Sequence, residues 1–137
     1  MKVNFRDKLT EDEVVKLLSE QLQKAGWTII KQCFGQTRGN DIEAIKDKEK
    51  LIIEAKGAKS NEYSPTKKRD YFKSGQIKSH FGRAIVKIMS EIEKNPEFIY
   101  GIAHPDDPLI RKTIGKIIPQ LEGLNIKHYW VKKDDKI

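Results

Sequence analysis

The spacing of apolar residues predicts two long amphipathic helices. The first covers about residues 11–25, and the capping-box pair Thr10 and Glu13 marks its start. Its apolar stripe consists of Val14, Val15, Leu17, Leu18, Leu22 and Ala25. The second begins near Ser74, because apolar residues follow one helical face from there, and it ends before Asn95 and Pro96. Its apolar residues are Ile77, Phe81, Ala84, Ile85, Ile88 and Ile92.

Short extended segments predict the strands of a sheet. Three of them follow the first helix, at residues 27–34, 40–46 and 50–56, and the short links between them indicate hairpins or a meander. Two more lie at residues 97–103 and 126–131. We therefore expect a sheet with helices packed against it.

A third helix is predicted between the last two strands. Asp107 and Pro108 have the pattern of an N-cap followed by a first-turn proline, and Pro119 must kink or end the helix. Its inward positions are Ile110, Ile114, Ile117 and Ile118. The predicted order is α-β-β-β-α-β-α-β. This order indicates a single α/β domain over residues 1–137, with a central mixed sheet flanked by helices.

Alternation along the second and third strands separates an apolar face from a charged one. The apolar face consists of Ile42, Ala44, Leu51, Ile53 and Ala55. Asp41, Glu54 and Lys56 share the other face if the hairpin loop has two residues (47–48) or four (47–50). In the two-residue case Asp41 lies directly across from Glu54, with Cβ atoms about 5 Å apart. Carboxylates this close repel each other unless a cation lies between them, and Mg²⁺ prefers such oxygen ligands.

Two interpretations of these charges remain open at this point. One is an ordinary exposed sheet face that carries surface ion pairs. The other is a ligand site, since Gly39 and Gly57 flank the charged positions and would allow a ligand to approach closely.

Net charge and composition favour a polyanionic partner in a reducing compartment. The chain has 27 Lys and Arg against 20 Asp and Glu, a formal charge of +7, so nucleic acid is the first partner to consider, although the same excess also serves solubility. No histidine has zinc-ligand spacing to another ligand residue, and Cys33 is the single cysteine. No apolar run approaches the ~18 residues of a membrane span. We expect a cytoplasmic protein without a membrane partner.

The charged positions carry a resemblance to a known family. GNDI at residues 39–42 and IEAKG at residues 53–57, preceded by one helix and followed by a long one, resemble the PD-(D/E)XK nuclease superfamily. This superfamily includes restriction endonucleases and Holliday-junction resolvases. The resemblance covers about residues 11–103 and implies a restriction-endonuclease-like core. Asn40 stands where the superfamily's name has proline.

The resemblance implies metal-dependent cleavage of DNA. Asp41, Glu54 and the backbone carbonyl of Ala55 would bind Mg²⁺ or Mn²⁺, and Lys56 would orient or help deprotonate the attacking water. Many members add an acidic residue from the first helix. Glu11 is the candidate here, because it projects near the centre of the apolar stripe; the alternative is a first-turn acid that complements the helix dipole.

The second helix carries a polar stripe that the resemblance connects with catalysis. Gln76, His80, Arg83 and Lys87 lie at positions i, i+4, i+7 and i+11. The resemblance implies that Gln76 lies beside the active site, and His80 is a candidate for a phosphate contact. An ordinary solvated helix face fits the same pattern.

Basic residues near the predicted site are candidates for binding nucleic acid. The long loop over residues 57–73 mixes basic and aromatic side chains, which suit phosphates and bases. A merely flexible charged loop is the alternative. The candidates are Arg38, Lys59, Lys67, Lys68, Arg69, Lys73, His80 and Arg83.

The leading hypothesis from the sequence is therefore a Mg²⁺-dependent deoxyribonuclease. A non-cleaving nucleic-acid-binding module and a basic subunit of a larger DNA-processing complex are the alternatives. A homodimer and a separate partner protein both stay open.

Overall fold

A five-stranded mixed sheet forms the centre of the computed structural model, which describes residues 8–35, 39–60 and 71–133. The strands lie in the order β1-β2-β3-β4-β5. Pairing is antiparallel from β1 to β3 and parallel from β3 to β5. The strands are β1 (Thr28–Gln32), β2 (Ile42–Lys46), β3 (Glu49–Ala55), β4 (Ile99–Pro105) and β5 (Ile126–Val131). The expectation of an α/β fold with a mixed sheet flanked by helices is confirmed.

The two long helices form where their apolar stripes predict them. Helix α1 spans Glu11–Lys24, and both hydrogen bonds of the predicted capping box are present. The Glu13 amide donates to Thr10 Oγ1 at 3.1 Å, and the Thr10 amide donates to Glu13 Oε1 at 2.9 Å. Helix α2 spans Ser74–Lys94.

The predicted order of elements is wrong between β4 and β5. One helix was expected there, but the chain forms helix α3 (Pro108–Ile114), a 3₁₀ turn (Gly115–Ile117) and helix α4 (Pro119–Glu122). Proline at position 119 has no amide hydrogen for the carbonyl of residue 115, and its ring clashes with that carbonyl in a continuous helix. The helix therefore breaks, and Pro119 starts the next one, a position that its fixed φ angle suits. The observed order is α-β-β-β-α-β-α-α-β.

Each face of the sheet has its own apolar core. Helix α1 packs on the face that includes Ile42 and Ile53. Helices α2 and α3 pack on the opposite face, which includes Ile52 and Ile102. The face that carries Asp41, Glu54 and Lys56 by alternation is therefore the one covered by α2.

A direct contact joins the start of α1 to the end of β3. The Ala58 amide donates to the Leu9 carbonyl at 2.7 Å, and Thr10 forms a parallel bridge with Lys59. This contact places the first turn of α1 beside the last residues of β3. No helix within the described ranges is long and apolar enough to cross a membrane.

Candidate active site

Asp41 and Glu54 lie next to each other at the open end of the β2–β3 hairpin, which forms part of one edge of the sheet. Lys46 pairs with Glu49, so the loop has the two residues 47–48, and Ile42 pairs with Ile53. By continuation of this register, Asp41 stands across from Glu54, as the two-residue loop predicts. Asp41 Oδ2 accepts a 2.7 Å hydrogen bond from the Ala55 amide, and Glu54 is only 4% exposed.

The charges of this edge act strongly on each other. Burial, followed by the charges of Glu54 and Glu11, raises the pKa of Asp41 to about 8, against the opposing effects of the Ala55 amide and Lys87. A raised carboxyl pKa means that negative charge is crowded in a poorly solvated place. We call Glu11, Asp41 and Glu54 the carboxylate site, and its chemistry favours a proton or a cation.

Glu11 reaches this edge because of the contact between α1 and β3. Burial raises the pKa of Glu11, the Lys56 ammonium lowers it, and the charge of Glu54 raises it. The structure thus brings the candidate from the first helix together with both strand residues. Its position in the first turn of α1 also fits the helix-dipole alternative.

A basic cavity of about 230 Å³ opens beside the carboxylate site. Its lining consists of Glu11, Lys56, Gly57, Lys59, Ser60, Phe72, His80 and Arg83. The His80 ring stands edge-on to Phe72, with ring centroids 4.6 Å apart. Burial, and then the charges of Lys56 and Arg83, lower the pKa of His80, which favours the neutral ring. One concave surface therefore holds a carboxylate, the catalytic candidate Lys56 and three of the nucleic-acid-binding candidates.

Gly57 and Gly39 do not leave room for a ligand where a side chain would lie. A Cβ on Gly57 would meet the backbone of Glu11 and of Thr10, and one on Gly39 would lie 2.7 Å from Lys31 Nζ. Gly57 thus lets the start of α1 approach the end of β3, and it also lines the basic cavity. That these glycines let a ligand approach closely stays a prediction.

Gln76 and Lys73 lie at the start of α2 and do not line the basic cavity. The Lys73 amide donates to Gln76 Oε1 at 3.0 Å, so this side chain caps the first turn of the helix. Lys73 is exposed. Four further candidates, Arg38, Lys67, Lys68 and Arg69, lie outside the described residues.

Lys87 is a site residue that the sequence analysis placed only on the polar stripe. Its ammonium lies 2.7 Å from Glu54 Oε1 and donates to the Gly39 carbonyl at 2.9 Å. Burial lowers the pKa of Lys87, but the contact with Glu54 and the charges of Glu54 and Asp41 outweigh burial and raise it. Its position on the polar stripe indicated that Lys87 lies on the same side of α2 as His80 and Arg83. Its partners, Glu54 and Gly39, could not be predicted because they are far from it in the sequence.

A second buried polar group was missed because its members are distant in sequence. His104 on β4 and His128 on β5 lie on the sheet face covered by α2 and α3, with Nδ1 of the first 2.8 Å from Nε2 of the second. Within the described part of the chain, the other ring nitrogens, His104 Nε2 and His128 Nδ1, are buried without a hydrogen-bond partner. Burial, then His128, Lys56 and His80, lower the pKa of His104 to about 3. Burial and then Arg111 lower that of His128 to about 4. We call these two residues the histidine pair.

Over the described ranges, no group of three or more His, Cys, Asp or Glu side chains is arranged to hold a metal ion. The pair Asp41 and Glu54 is nevertheless a donor set of the kind that Mg²⁺ uses. This ion is commonly held by one or two carboxylates and keeps several waters or substrate oxygens.

No protein-family model, curated protein or solved structure matches this chain. A functional assignment therefore rests on the chemistry of its own residues.

Proposed function

We propose that the protein is a metal-dependent nuclease that hydrolyses phosphodiester bonds of DNA, with Mg²⁺ or Mn²⁺ as its cofactor. The proposal includes a restriction-endonuclease-like core and membership of the PD-(D/E)XK superfamily. One observation carries it. Asp41, just before β2, stands across from Glu54 of β3 by continuation of the strand register, and Lys56, two residues past Glu54, lines a basic cavity beside them.

The donor set fits a hard divalent cation. Asp41 and Glu54 would hold it, with the Ala55 carbonyl as a further oxygen donor, and the nearby Glu11 would add negative charge to the site. The pKa of Asp41, raised to about 8 by burial and by the neighbouring carboxylates, supports this fit, because a cation relieves the same repulsion that favours a proton. When bound, such an ion supplies Lewis-acid polarisation of a phosphoryl oxygen.

The basic side chains of the cavity supply the remaining chemistry. Lys56 orients the attacking water and offsets the negative charge that develops on the phosphate, which is electrostatic stabilisation of the transition state. Lys59 and Arg83 bind phosphates of the backbone, and His80 donates a hydrogen bond to one from its neutral ring. The net charge of +7 attracts the polyanion as a whole.

The first prediction concerns Lys56. Lys56→Ala should reduce cleavage by roughly 100-fold or more, because one preorganised charge at the reacting group is lost. The fold and the affinity for metal should stay close to wild type, since the ammonium is not itself a ligand. Cleavage is measured on plasmid, branched and single-stranded DNA with Mg²⁺, Mn²⁺ or a chelator.

Lys48→Ala is the matched control, because Lys48 is exposed in the hairpin loop at the other end of β2 and β3. It should cleave like wild type. An unchanged rate for Lys56→Ala would contradict the role of Lys56. If wild type cuts no form of DNA or RNA with either metal, and Ca²⁺ does not strengthen its DNA binding, a non-cleaving binding module becomes the better account.

A further inference from the structure

The Lys87 ammonium occupies a position that is surrounded by oxygen atoms. It reaches from α2 to Glu54 Oε1 at 2.7 Å and to the Gly39 carbonyl at 2.9 Å. The charge of Asp41 acts on it as well. Carboxylate and carbonyl oxygens are also the ligands that a hard divalent cation requires. Lys87 and such a cation therefore have Glu54 as a common partner.

The two members of the ion pair differ in their freedom to move. The Glu54 side chain is 5% exposed, whereas the Lys87 side chain is 41% exposed. Lys87 also borders a shallow, open depression of about 500 Å³ beside Ser79, Gly82, Arg83 and Val86. A lysine has a flexible four-carbon stem and is readily hydrated. The ammonium thus has space to swing towards solvent, while the carboxylate stays buried.

Burial makes a partner for Glu54 necessary at all times. Apart from Lys87, Glu54 Oε1 has no polar partner in the described part of the chain. Removing the partner of a buried carboxylate is strongly destabilising. Departure of Lys87 therefore requires a proton or another cation to take its place.

We propose that Lys87 is a built-in counter-cation of the carboxylate site, which holds Glu54 in the metal-free protein and is displaced from it when a divalent cation binds. This inference rests on the proposed function, because it concerns the metal affinity of the same site. Lys87 is a positioning residue in this account and does not touch the reacting atoms. Its competition with the cation sets how much metal the protein needs.

Calorimetric titration of the full chain with Ca²⁺ and with Mn²⁺ tests the inference, together with thermal melts in chelator. Lys87→Gln should bind both ions roughly tenfold more tightly or better, since a buried ion pair no longer has to be broken. In chelator, the same variant should melt at a lower temperature than wild type. Addition of Ca²⁺ should raise its melting temperature by more than it raises that of wild type. Lys87→Arg keeps the charge and should keep the affinity near the wild-type value.

Lys78→Gln is the matched control for loss of positive charge. Lys78 is an exposed lysine of α2, and no ion pair with Glu54 is among its described contacts. Its variant should change metal affinity by a few-fold at most, the effect expected of a screened surface charge.

The outcomes separate the two proposals. If wild type binds metal and Lys87→Gln binds it equally well or more weakly, the ammonium assists the cation instead of competing with it, and this inference is overturned while the proposed function stands. If neither wild type nor Lys87→Gln binds either ion, both proposals fail. Binding by the variant alone supports the inference, because it shows that the ammonium blocks the site. If Lys87→Gln does not fold, tighter binding by Lys87→Met supports the inference and unchanged binding overturns it.

Discussion

The carboxylate site and the histidine pair lie on the same face of the sheet, but their buried polar groups are stabilised in different ways. The carboxylates crowd together with two lysines beside them, Lys56 and Lys87, and a cavity that opens to solvent. The histidine rings contact each other, Phe81 and Trp130, and the nearby cations, Lys56 for His104 and Arg111 for His128, disfavour a charged ring.

Burial therefore has different consequences for the two groups: the carboxylates stay available to a ligand, and the histidines do not. Crowded carboxylates beside a cavity can exchange one cation for another, so their charge is available to a ligand. The histidines avoid the cost of burial by staying uncharged, as their lowered pKa values of about 3 and 4 indicate. We expect the first region to respond to metal and DNA as well as to pH, and the second to respond to pH.

The largest difference between the two regions should appear in the free energy of unfolding at acidic pH. Unfolded histidines titrate near pH 6.5, whereas the folded pair titrates near pH 3 to 4, so the unfolded chain binds more protons between these values. The contribution of the histidine pair to the free energy of unfolding should therefore fall as the pH drops below about 6.5, whereas the raised pKa of Asp41 acts in the opposite direction below about pH 8. The fall amounts to at most about 1.4 kcal/mol per pH unit for each histidine.

Urea melts between pH 7.5 and pH 4 measure this loss. In the double variant His104→Leu/His128→Leu the loss should be much shallower, because no buried ring remains to be protonated. The single variant His104→Leu leaves His128 Nε2 without its partner and should be less stable than either protein at pH 7. Equal pH slopes in wild type and double variant would contradict the role of the pair.

A substitution with a smaller effect on stability, Gly57→Ala, should disturb the carboxylate site and leave the histidine pair intact. Gly57→Ala puts a Cβ against the backbone of Glu11 and 2.8 Å from the carbonyl carbon of Thr10, so the first turn of α1 must move away from β3. We expect a loss of about 1–3 kcal/mol in the free energy of unfolding, typical of overpacking. The gain in melting temperature from Ca²⁺ should also shrink, because Glu11 moves with the helix.

The acid slope offers an internal check on Gly57→Ala, since it should stay like that of wild type. Gly82→Ala is the matched control. Beyond its chain neighbours and its own helix backbone, no described atom lies within 4 Å of the added Cβ, and alanine in an exposed helix position should stabilise by about 0.5–1 kcal/mol. A full Ca²⁺ response in Gly57→Ala would show that Glu11 does not contribute to the site.

The smallest effect on stability, and the sharpest on DNA binding, should come from the rim of the basic cavity. Lys59→Ala combined with Arg83→Ala should lower the salt dependence of DNA affinity by about 1 to 2 in log–log slope, as expected when two phosphate contacts are lost. Lys112→Ala with Lys116→Ala removes the same charge from the exposed surface around α3 and should leave the slope unchanged. If both double variants lower the slope equally, the rim of the cavity does not contact DNA more than the rest of the surface does.

Sequence alone determined the local part of this architecture. The capping box at Thr10, the extent of α2 and the separation of Asp41 and Glu54 from the apolar face all depend on residues within a few positions of one another. Helix capping, helical periodicity and strand alternation act over such distances. The hairpin between β2 and β3 belongs to this part as well, although the choice between its two-residue and four-residue loops required the structure.

Tertiary structure decided which of these local elements meet. Alternation places His104 and His128 each on a face of a strand, but only the parallel pairing of β4 with β5 makes them neighbours. In the same way, only the contact of Leu9 with Ala58 brings Glu11 to the site. Local patterns cannot contain these pairings, because their energies come from segments that are far apart in the chain and are brought together by burial of the two cores. The partners of Lys87 were beyond prediction for the same reason.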